Sequence, residues 1–140
     1  MYCKALTKQQ LIDWGITKVE LENGVWNVYR NWYTAGKRTA KSKKVESLVK
    51  ITLAEAKHKY TNTITYEKVS FSVGNKSISL PLSRLIYCWH IADIEDGYVI
   101  DHLNANRFDN RLDNLQKITI KENLAKRYID NPANHVNQYR

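Results

Sequence analysis

The stretch that most constrains the fold of this chain runs from Tyr98 to Arg127, YVIDHLNANRFDNRLDNLQKITIKENLAKR. It opens with the apolar run Tyr98-Val99-Ile100, which predicts a short strand. Asp101 and His102 follow, and residues 103 to 115 are then crowded with Asn and Asp, whose side chains favour turns by bonding nearby backbone. The pattern predicts a strand that places Asp101 and His102 at the start of a long polar loop.

The same stretch continues with a second strand and a helix. Residues 116 to 119 predict the strand, and the sequence from Thr119 to Glu122 has the form of a capping box that opens the helix. The helix is expected to end at Asn131-Pro132, because the residue before a proline disfavours helical backbone. The expected fold class is α+β, with a small antiparallel β-hairpin and a helix packed beside this unit. One apolar stripe on the last helix comprises Ile120, Leu124 and Tyr128.

Local signals place further elements upstream. The sequence from Thr7 to Gln10 fits a capping box that opens a short helix, and Asn23-Gly24 is a hairpin-type turn. The alternation from Trp26 to Trp32 predicts a strand. Residues 45 to 60 stay ambiguous, because VESLVKITL favours a strand and LAEAKHKY favours a helix.

A hairpin and a helix are predicted between residues 64 and 90. Apolar residues alternate with polar ones on both sides of a Gly74-Asn75 turn. Pro81 suits the first turn of a helix, and His90 lies beside that helix's apolar face, where a structural histidine is favoured over a metal ligand. The alternating residues are Ile64, Tyr66, Val69, Phe71, Val73, Ile78 and Leu80, and the helical face comprises Leu82, Leu85, Ile86 and Trp89.

Composition bounds the size and environment of the protein. The 140 residues and 16.4 kDa correspond to one domain, or to one domain with an appendage. Cys3 and Cys88 cannot supply a four-ligand zinc site, so they are expected to be free thiols and no structural zinc is expected. The sequence shows neither a membrane span nor a signal-peptide core, so a soluble, cytoplasmic protein without a membrane partner is expected.

The charge balance indicates a polyanion partner, commonly nucleic acid. Lys and Arg number 22 against 14 Asp and Glu, which gives a formal charge of +8. A run of five basic residues without an intervening acid is either a flexible arm that grips phosphates or a solvated loop. The run comprises Lys37, Arg38, Lys41, Lys43 and Lys44.

The spacing between Asp101 and Asn123 resembles that of HNH endonucleases in their H-N-N form. The motif DHxxxNxxDNRxxNLxxxTxxEN, typical of small phage and intron homing-type members, fits throughout. The resemblance implies a ββα-metal core over about residues 97 to 130, inside a nuclease domain of residues 76–140. Residues 1–75 add no family-specific motif and are expected to form a β-rich region with the basic arm, a candidate for DNA contact.

The resemblance assigns chemistry to three of these residues. His102 would act as general base, since a neutral imidazole accepts a proton near pH 7. Asp101 and Asn123 would ligate Mg²⁺ or Mn²⁺ through hard oxygen atoms. Many members carry His where this chain has Asn123, and Asn favours an oxygen-preferring ion over zinc. Each residue also has a structural interpretation: a histidine at a strand end, an aspartate in a turn and a polar residue on a helix surface.

The same resemblance makes Asn114 the central Asn of the motif. In the family this side chain bonds loop backbone and holds the base histidine. Asn110 competes for the role, and Asn114 is preferred because Leu115 follows it directly. Arg127, four residues after Asn123 on one helix face, is a candidate phosphate contact. Weaker candidates of this kind are Lys126, Lys121 and Arg107.

One feature opposes a shared site for Asp101 and His102. Adjacent residues of a regular strand point to opposite faces of the sheet. The two side chains therefore serve one site only if the strand ends or twists between them.

These patterns lead to a first hypothesis, a metal-dependent HNH endonuclease that cuts double-stranded DNA, with His102 activating water. Nicking is expected of a monomer, because two concerted cuts need two sites, and a monomer is favoured over an oligomer. A phage or mobile-element origin, with function in the host cytoplasm, rests on resemblance alone. The alternatives are a non-catalytic DNA-binding protein on the same scaffold and, more weakly, RNA binding through aromatic stacking.

Overall fold

A computed structural model describes residues 4–33, 44–56 and 64–130. Most of the predicted basic arm lies outside the described residues, so its role in binding phosphates stays a prediction. Lys44 is the first residue of a strand, but the position of its side chain is not described. The arm residues outside the described ranges are Lys37, Arg38, Lys41 and Lys43.

The N-terminal part forms one helix and a three-stranded antiparallel sheet. Helix α1 covers Lys8–Asp13, and the Thr7 hydroxyl accepts the Gln10 N–H at 3.1 Å, as the capping pattern predicts. Strands β1 (Ile16–Glu22), β2 (Val25–Tyr33) and β3 (Lys44–Leu48) lie in the order β1-β2-β3. The β1–β2 turn has positive φ angles at Asn23 and Gly24, 52° and 79°, which explains the Asn-Gly pair. Strand β1 is not predicted by the sequence patterns.

A second three-stranded antiparallel sheet follows and resolves the ambiguous region. It consists of β4 (Ile51–Ala56), β5 (Ile64–Val73) and β6 (Lys76–Pro81). The described part of residues 45 to 60 therefore consists of the end of β3, the two-residue link 49–50 and β4, and it contains no helix. The pairing of β5 with β4 is regular. Tyr66 therefore lies on the face opposite to Val69, although both belong to the predicted alternating set. Helix α2 (Leu82–His90) follows Pro81 directly and buries Leu82, Leu85 and Ile86, as predicted.

The C-terminal part has the predicted order of strand, loop, strand and helix. Strands β7 (Tyr98–His102) and β8 (Leu115–Thr119) pair antiparallel, and helix α3 (Ile120–Asp130) follows without a break. Thr119 N–H donates to Glu122 Oε1 at 3.2 Å, and Glu122 N–H donates to Thr119 Oγ1 at 3.1 Å. This reciprocal capping box confirms the predicted start of α3.

A single hydrophobic core joins the N-terminal and C-terminal parts of the chain. Val19 and Val28 of the first sheet, Val69 of the second and Leu115 of β8 belong to the same buried cluster. Helix α2 contributes five residues to this cluster, and its Arg84 is 2% exposed and donates to the carbonyl oxygen of Tyr98 at 2.8 Å. The described residues on either side of position 75 therefore share one core, and the N-terminal region supports the strand that carries Asp101 and His102.

Two further expectations concern thiols and membranes. Cys88 is a free, buried thiol that donates to the Leu6 carbonyl oxygen at 3.4 Å, and burial raises its pKa to about 12. Within the ranges that the structure describes, no helix is both long and apolar enough to cross a membrane.

Candidate active site

His102 ends strand β7, and its ring contacts one side chain of the polar loop. Its Nε2 atom lies 2.7 Å from Asn110 Oδ1. The other end of the Asn110 amide, Nδ2, donates to Glu67 Oε1 at 3.4 Å. Because Oδ1 only accepts, Nε2 carries the hydrogen, and a neutral His102 has its lone pair on Nδ1. This arrangement leaves Nδ1 as the basic atom of the ring.

Asn110 is held in place by the N-terminal sheet. The residue is 4% exposed, and its carbonyl oxygen accepts the Trp26 indole N–H at 3.0 Å. The Trp26 ring packs at a tilt on His90 with centroids 5.6 Å apart. His90 Nε2 lies 2.6 Å from the Val19 carbonyl oxygen, which agrees with the structural role expected for that histidine. A strand far upstream therefore fixes the backbone beside the His102 ring.

Asn114 closes the loop that follows β7. Its side chain is nearly buried, accepts the Asn104 N–H at 3.1 Å and donates to the Asp109 carbonyl oxygen at 2.8 Å. Its own carbonyl oxygen accepts the Leu103 N–H at 2.8 Å. These three bonds tie Asn114 to loop residues 103, 104 and 109. The direct contact to the His102 ring is made by Asn110, the competing candidate of the sequence analysis.

Asp109 adds a charged contact to the loop. Its two carboxylate oxygens accept Arg111 Nε at 2.8 Å and Arg111 Nη2 at 2.9 Å, and Oδ2 also accepts Asn104 Nδ2 at 2.8 Å. The Arg111 hydrogen bonds are the main reason that the pKa of Asp109 falls to about 2. Asp109 is therefore ionised throughout the neutral pH range and belongs to the loop scaffold.

Asp101 lies on the other face of β7 from His102. The strand is paired regularly through both residues, so their side chains point to opposite sides of it. Asp101 Oδ2 accepts Gln116 Nε2 at 2.8 Å and lies 2.9 Å from Lys126 Nζ. The Asp101 and Lys126 side chains are only 13% and 23% exposed. The strand thus presents the carboxylate towards α3 and the imidazole towards Asn110.

Asn123 shares the helix face that meets Asp101. It lies three residues before Lys126, and residues at this spacing are neighbours on one side of a helix. The side chain is half-buried. Arg127 lies in the same helix, but the position of its side chain is not described. Asp101 and Asn123 together offer one carboxylate and one amide oxygen, which is a donor set for a hard cation.

Asp101 and Asn123 supply two side chains as candidate metal ligands. Within residues 4–33, 44–56 and 64–130, no three His, Cys, Asp or Glu side chains cluster as a metal site. A cation held by Asp101 and Asn123 would take its remaining ligands from water or from an anionic substrate, which is common for Mg²⁺. The donor chemistry therefore fits a hard divalent ion.

The charges around the site are unevenly distributed. Lys121 and Arg107 are exposed, whereas Lys126 is engaged with Asp101 and with the carbonyl oxygen of His102, each at 2.9 Å. The outer face of the N-terminal sheet carries three glutamates, one of which pairs with Lys18 at 3.4 Å. The exposed basic residues of α3 and the polar loop are candidates for contact with a polyanion. The glutamates are Glu20, Glu22 and Glu46.

Sequence reasoning missed three contacts of the site. Glu67 lies 35 residues upstream of His102 and shares a strand face with Val69 and Phe71. A charged residue on this otherwise apolar face was the sequence signal that could have marked Glu67 as a functional residue. Gln116 is the cross-strand partner of Asp101. The Trp26 contact to Asn110 spans 84 positions, and no local pattern could have indicated it.

Comparisons with known proteins agree with the motif. Residues 81–125 match a family model described as HNH endonuclease. The match extends from the start of α2 to the middle of α3 and includes Asp101, His102, Asn114 and Asn123. No curated protein and no solved structure matched the chain.

Proposed function

We propose that this protein is a metal-dependent endonuclease that hydrolyses phosphodiester bonds in double-stranded DNA, because residues 81–125 match a family model described as HNH endonuclease. In this proposal β7, the polar loop, β8 and α3 form the ββα-metal unit of the family. The observation that carries it is the fixed His102 ring, whose Nε2 is bonded to Asn110 while Nδ1 is left with the lone pair. A general base needs such an atom.

His102 has the role of removing a proton from the attacking water. The imidazole is half-buried and is oriented by Asn110, so little reorganisation is needed when it accepts the proton. Asn114 acts on the reaction only through the loop, which it ties to the residues that flank His102. Both residues are therefore needed, but only His102 reaches the reacting atoms.

Asp101 and Asn123 would hold a divalent cation, Mg²⁺ or Mn²⁺. Such an ion stabilises negative charge on the phosphoryl and leaving oxygens. The scissile phosphate then lies at the end of β7, because only there is it reached both from the His102 face and from the α3 face. This placement accommodates the two opposite side-chain directions that the regular strand imposes.

The substrate contacts follow from the charge distribution. Lys121, Arg107 and Arg127 contribute phosphate contacts near the cut, and the basic arm adds contacts from a distance. Lys126 would be a further phosphate contact if its ion pair with Asp101 were released. Such contacts position a nuclease without selecting a sequence. The products are 5′-phosphate and 3′-hydroxyl ends, and a monomer nicks one strand. The proposal places the enzyme among the homing-type proteins of phages and mobile elements, acting in the host cytoplasm.

The test is cleavage of supercoiled plasmid with Mg²⁺, Mn²⁺ or EDTA. Wild type should convert it to open circles in the presence of either metal and not in EDTA. His102→Ala should lose this activity, whereas His58→Ala, which changes another histidine, should retain it. If metal-dependent cleavage survives His102→Ala, the protein is still a nuclease but His102 is not its general base.

A second candidate is a non-catalytic DNA-binding protein on the same scaffold. The observation in its favour is the Asp101–Lys126 ion pair, because it satisfies the carboxylate without a bound ion. This candidate predicts DNA binding that is equal in wild type and His102→Ala, with no cleavage under any metal condition. The plasmid experiment therefore decides between the two.

A further inference from the structure

We propose that Glu67 is a positioning residue for the His102 base and that it acts through Asn110. The inference rests on the proposed function of His102. Glu67 touches no reacting atom. Its carboxylate determines which way the Asn110 amide points, and the amide then determines which nitrogen of His102 carries the hydrogen.

The strand β5 brings Glu67 to this place. Glu67 lies on the same face of β5 as the buried Val69, and its Oε1 is 3.4 Å from Asn110 Nδ2. The side chain is half-buried, and this burial raises the pKa of Glu67. A carboxylate beside an apolar core has a desolvation cost, and the amide donor of Asn110 offsets part of it.

An asparagine amide alone cannot choose a histidine tautomer. Rotated by half a turn, Asn110 would present Nδ2 to His102 instead of Oδ1. The ring would then accept this bond on Nε2, the hydrogen would sit on Nδ1, and the basic atom would be occupied. The carboxylate of Glu67 accepts only, so it holds Nδ2 on its own side and leaves Oδ1 for His102.

The backbone of Asn110 is already fixed independently of Glu67. Its carbonyl oxygen accepts the Trp26 indole N–H, and the residue is almost completely buried. Loss of Glu67 therefore leaves the side chain in place but removes its preferred orientation. This separates the proposed role from a general support of the loop.

The tautomer of His102 is measured directly by ¹⁵N NMR of the imidazole, without DNA or metal, at a pH where the ring is neutral. Wild type should show a protonated Nε2 and an unprotonated Nδ1. Glu67→Met should give a mixture of tautomers, and kcat for plasmid nicking should fall about tenfold with KM unchanged, as is usual for loss of an outer partner. Glu55→Gln, an exposed carboxylate on β4, is the matched control and should change neither.

A double variant distinguishes control of the His102 tautomer from a merely structural role of Glu67. Asn110→Asp supplies a group without a donor, so it presents an acceptor to His102 in either orientation. In the Glu67→Met background it should restore the wild-type tautomer and recover most of kcat. A merely structural role of Glu67 predicts no such rescue. If Glu67→Met does not fold, Glu67→Gln replaces it and should shift the tautomers in the same direction, because a glutamine amide no longer excludes the rotated Asn110.

The inference is overturned if Glu67→Met keeps the wild-type tautomer, or if the added Asn110→Asp change leaves the mixture as it was. Both results are independent of cleavage. Absence of nicking in wild type would instead refute the proposed function. The NMR measurement would still test whether Glu67 controls the tautomer of His102.

Discussion

The ammonium group of Lys126 lies 2.9 Å from Asp101 Oδ2 and 2.9 Å from the carbonyl oxygen of His102. Helix α3 therefore supplies a cation to the end of β7, at the carboxylate that we propose as a metal ligand. The expectation that Lys126 contacts DNA stays a prediction, and in this structure its ammonium group pairs with Asp101. A divalent ion that binds Asp101 has to displace this ammonium or share the carboxylate with it.

Replacing Lys126 by Met should strengthen metal binding in the absence of DNA. A partly exposed ion pair of this kind contributes about 1 kcal/mol, so removing the competitor should raise Mn²⁺ affinity about fivefold. Isothermal titration of the free protein with Mn²⁺ measures this.

The control for that variant is Lys121→Met, since Lys121 is an exposed lysine of the same helix. It should leave Mn²⁺ affinity at the wild-type value. Equal affinities in all three proteins would show that Lys126 does not compete for Asp101.

Asn123→His should change the metal preference of the site. An imidazole nitrogen favours Mn²⁺ and Zn²⁺ over Mg²⁺, whereas the amide oxygen of Asn123 favours Mg²⁺. We expect Mn²⁺ to bind more tightly relative to Mg²⁺ by a factor on the order of ten, or about 1.4 kcal/mol. Competition between the two ions, followed by Mn²⁺ electron paramagnetic resonance, measures the ratio. A ratio unchanged by Asn123→His places this residue outside the metal's ligands.

The parts of the fold that sequence predicted are those with local causes. The Thr119–Glu122 capping box, the Asn23-Gly24 turn and the apolar face of α2 each depend on residues within a few positions of one another. Strand β1 could not be predicted because its buried and exposed residues do not alternate regularly. Ile16 and Val19 are buried three positions apart, and the register shifts between Ile16 and Lys18.

The candidate site likewise has one part that local sequence predicts and another part that depends on distant contacts. Asp101, His102, Asn114 and Asn123 could be proposed because they fall in one contiguous motif. The contacts that orient His102 come from distant parts of the chain, since Glu67 belongs to β5 and Trp26 to β2. Such contacts depend on how the two sheets pack around α2, and the spacing of residues along the sequence does not predict this packing.

Asn114→Ala should destabilise the loop more than most surface changes. The variant loses two side-chain bonds to loop backbone and leaves the Asn104 N–H and the Asp109 carbonyl oxygen without that partner. Unsatisfied groups of this kind cost about 1–3 kcal/mol of unfolding free energy. Urea unfolding measures the loss. Asn27→Ala on the outer face of β2 is the matched control, and an equal effect of the two variants would contradict a bracing role for Asn114.

Stability at acid pH should depend on Asp109. Its pKa falls from 3.8 to about 2 in the folded protein, chiefly through the hydrogen bonds from Arg111. A lowered pKa means that the ionised group stabilises the fold at pH values above 3.8, and that this contribution disappears as the pH falls towards 2. In Arg111→Ala the pKa of Asp109 should move back towards its usual value, and the contribution should be lost at higher pH. Carboxyl ¹³C titration by NMR measures the pKa, with Arg111→Lys as an intermediate control that keeps the charge without the paired hydrogen bonds. An Asp109 that titrates identically in wild type and Arg111→Ala would assign the shift to another cause.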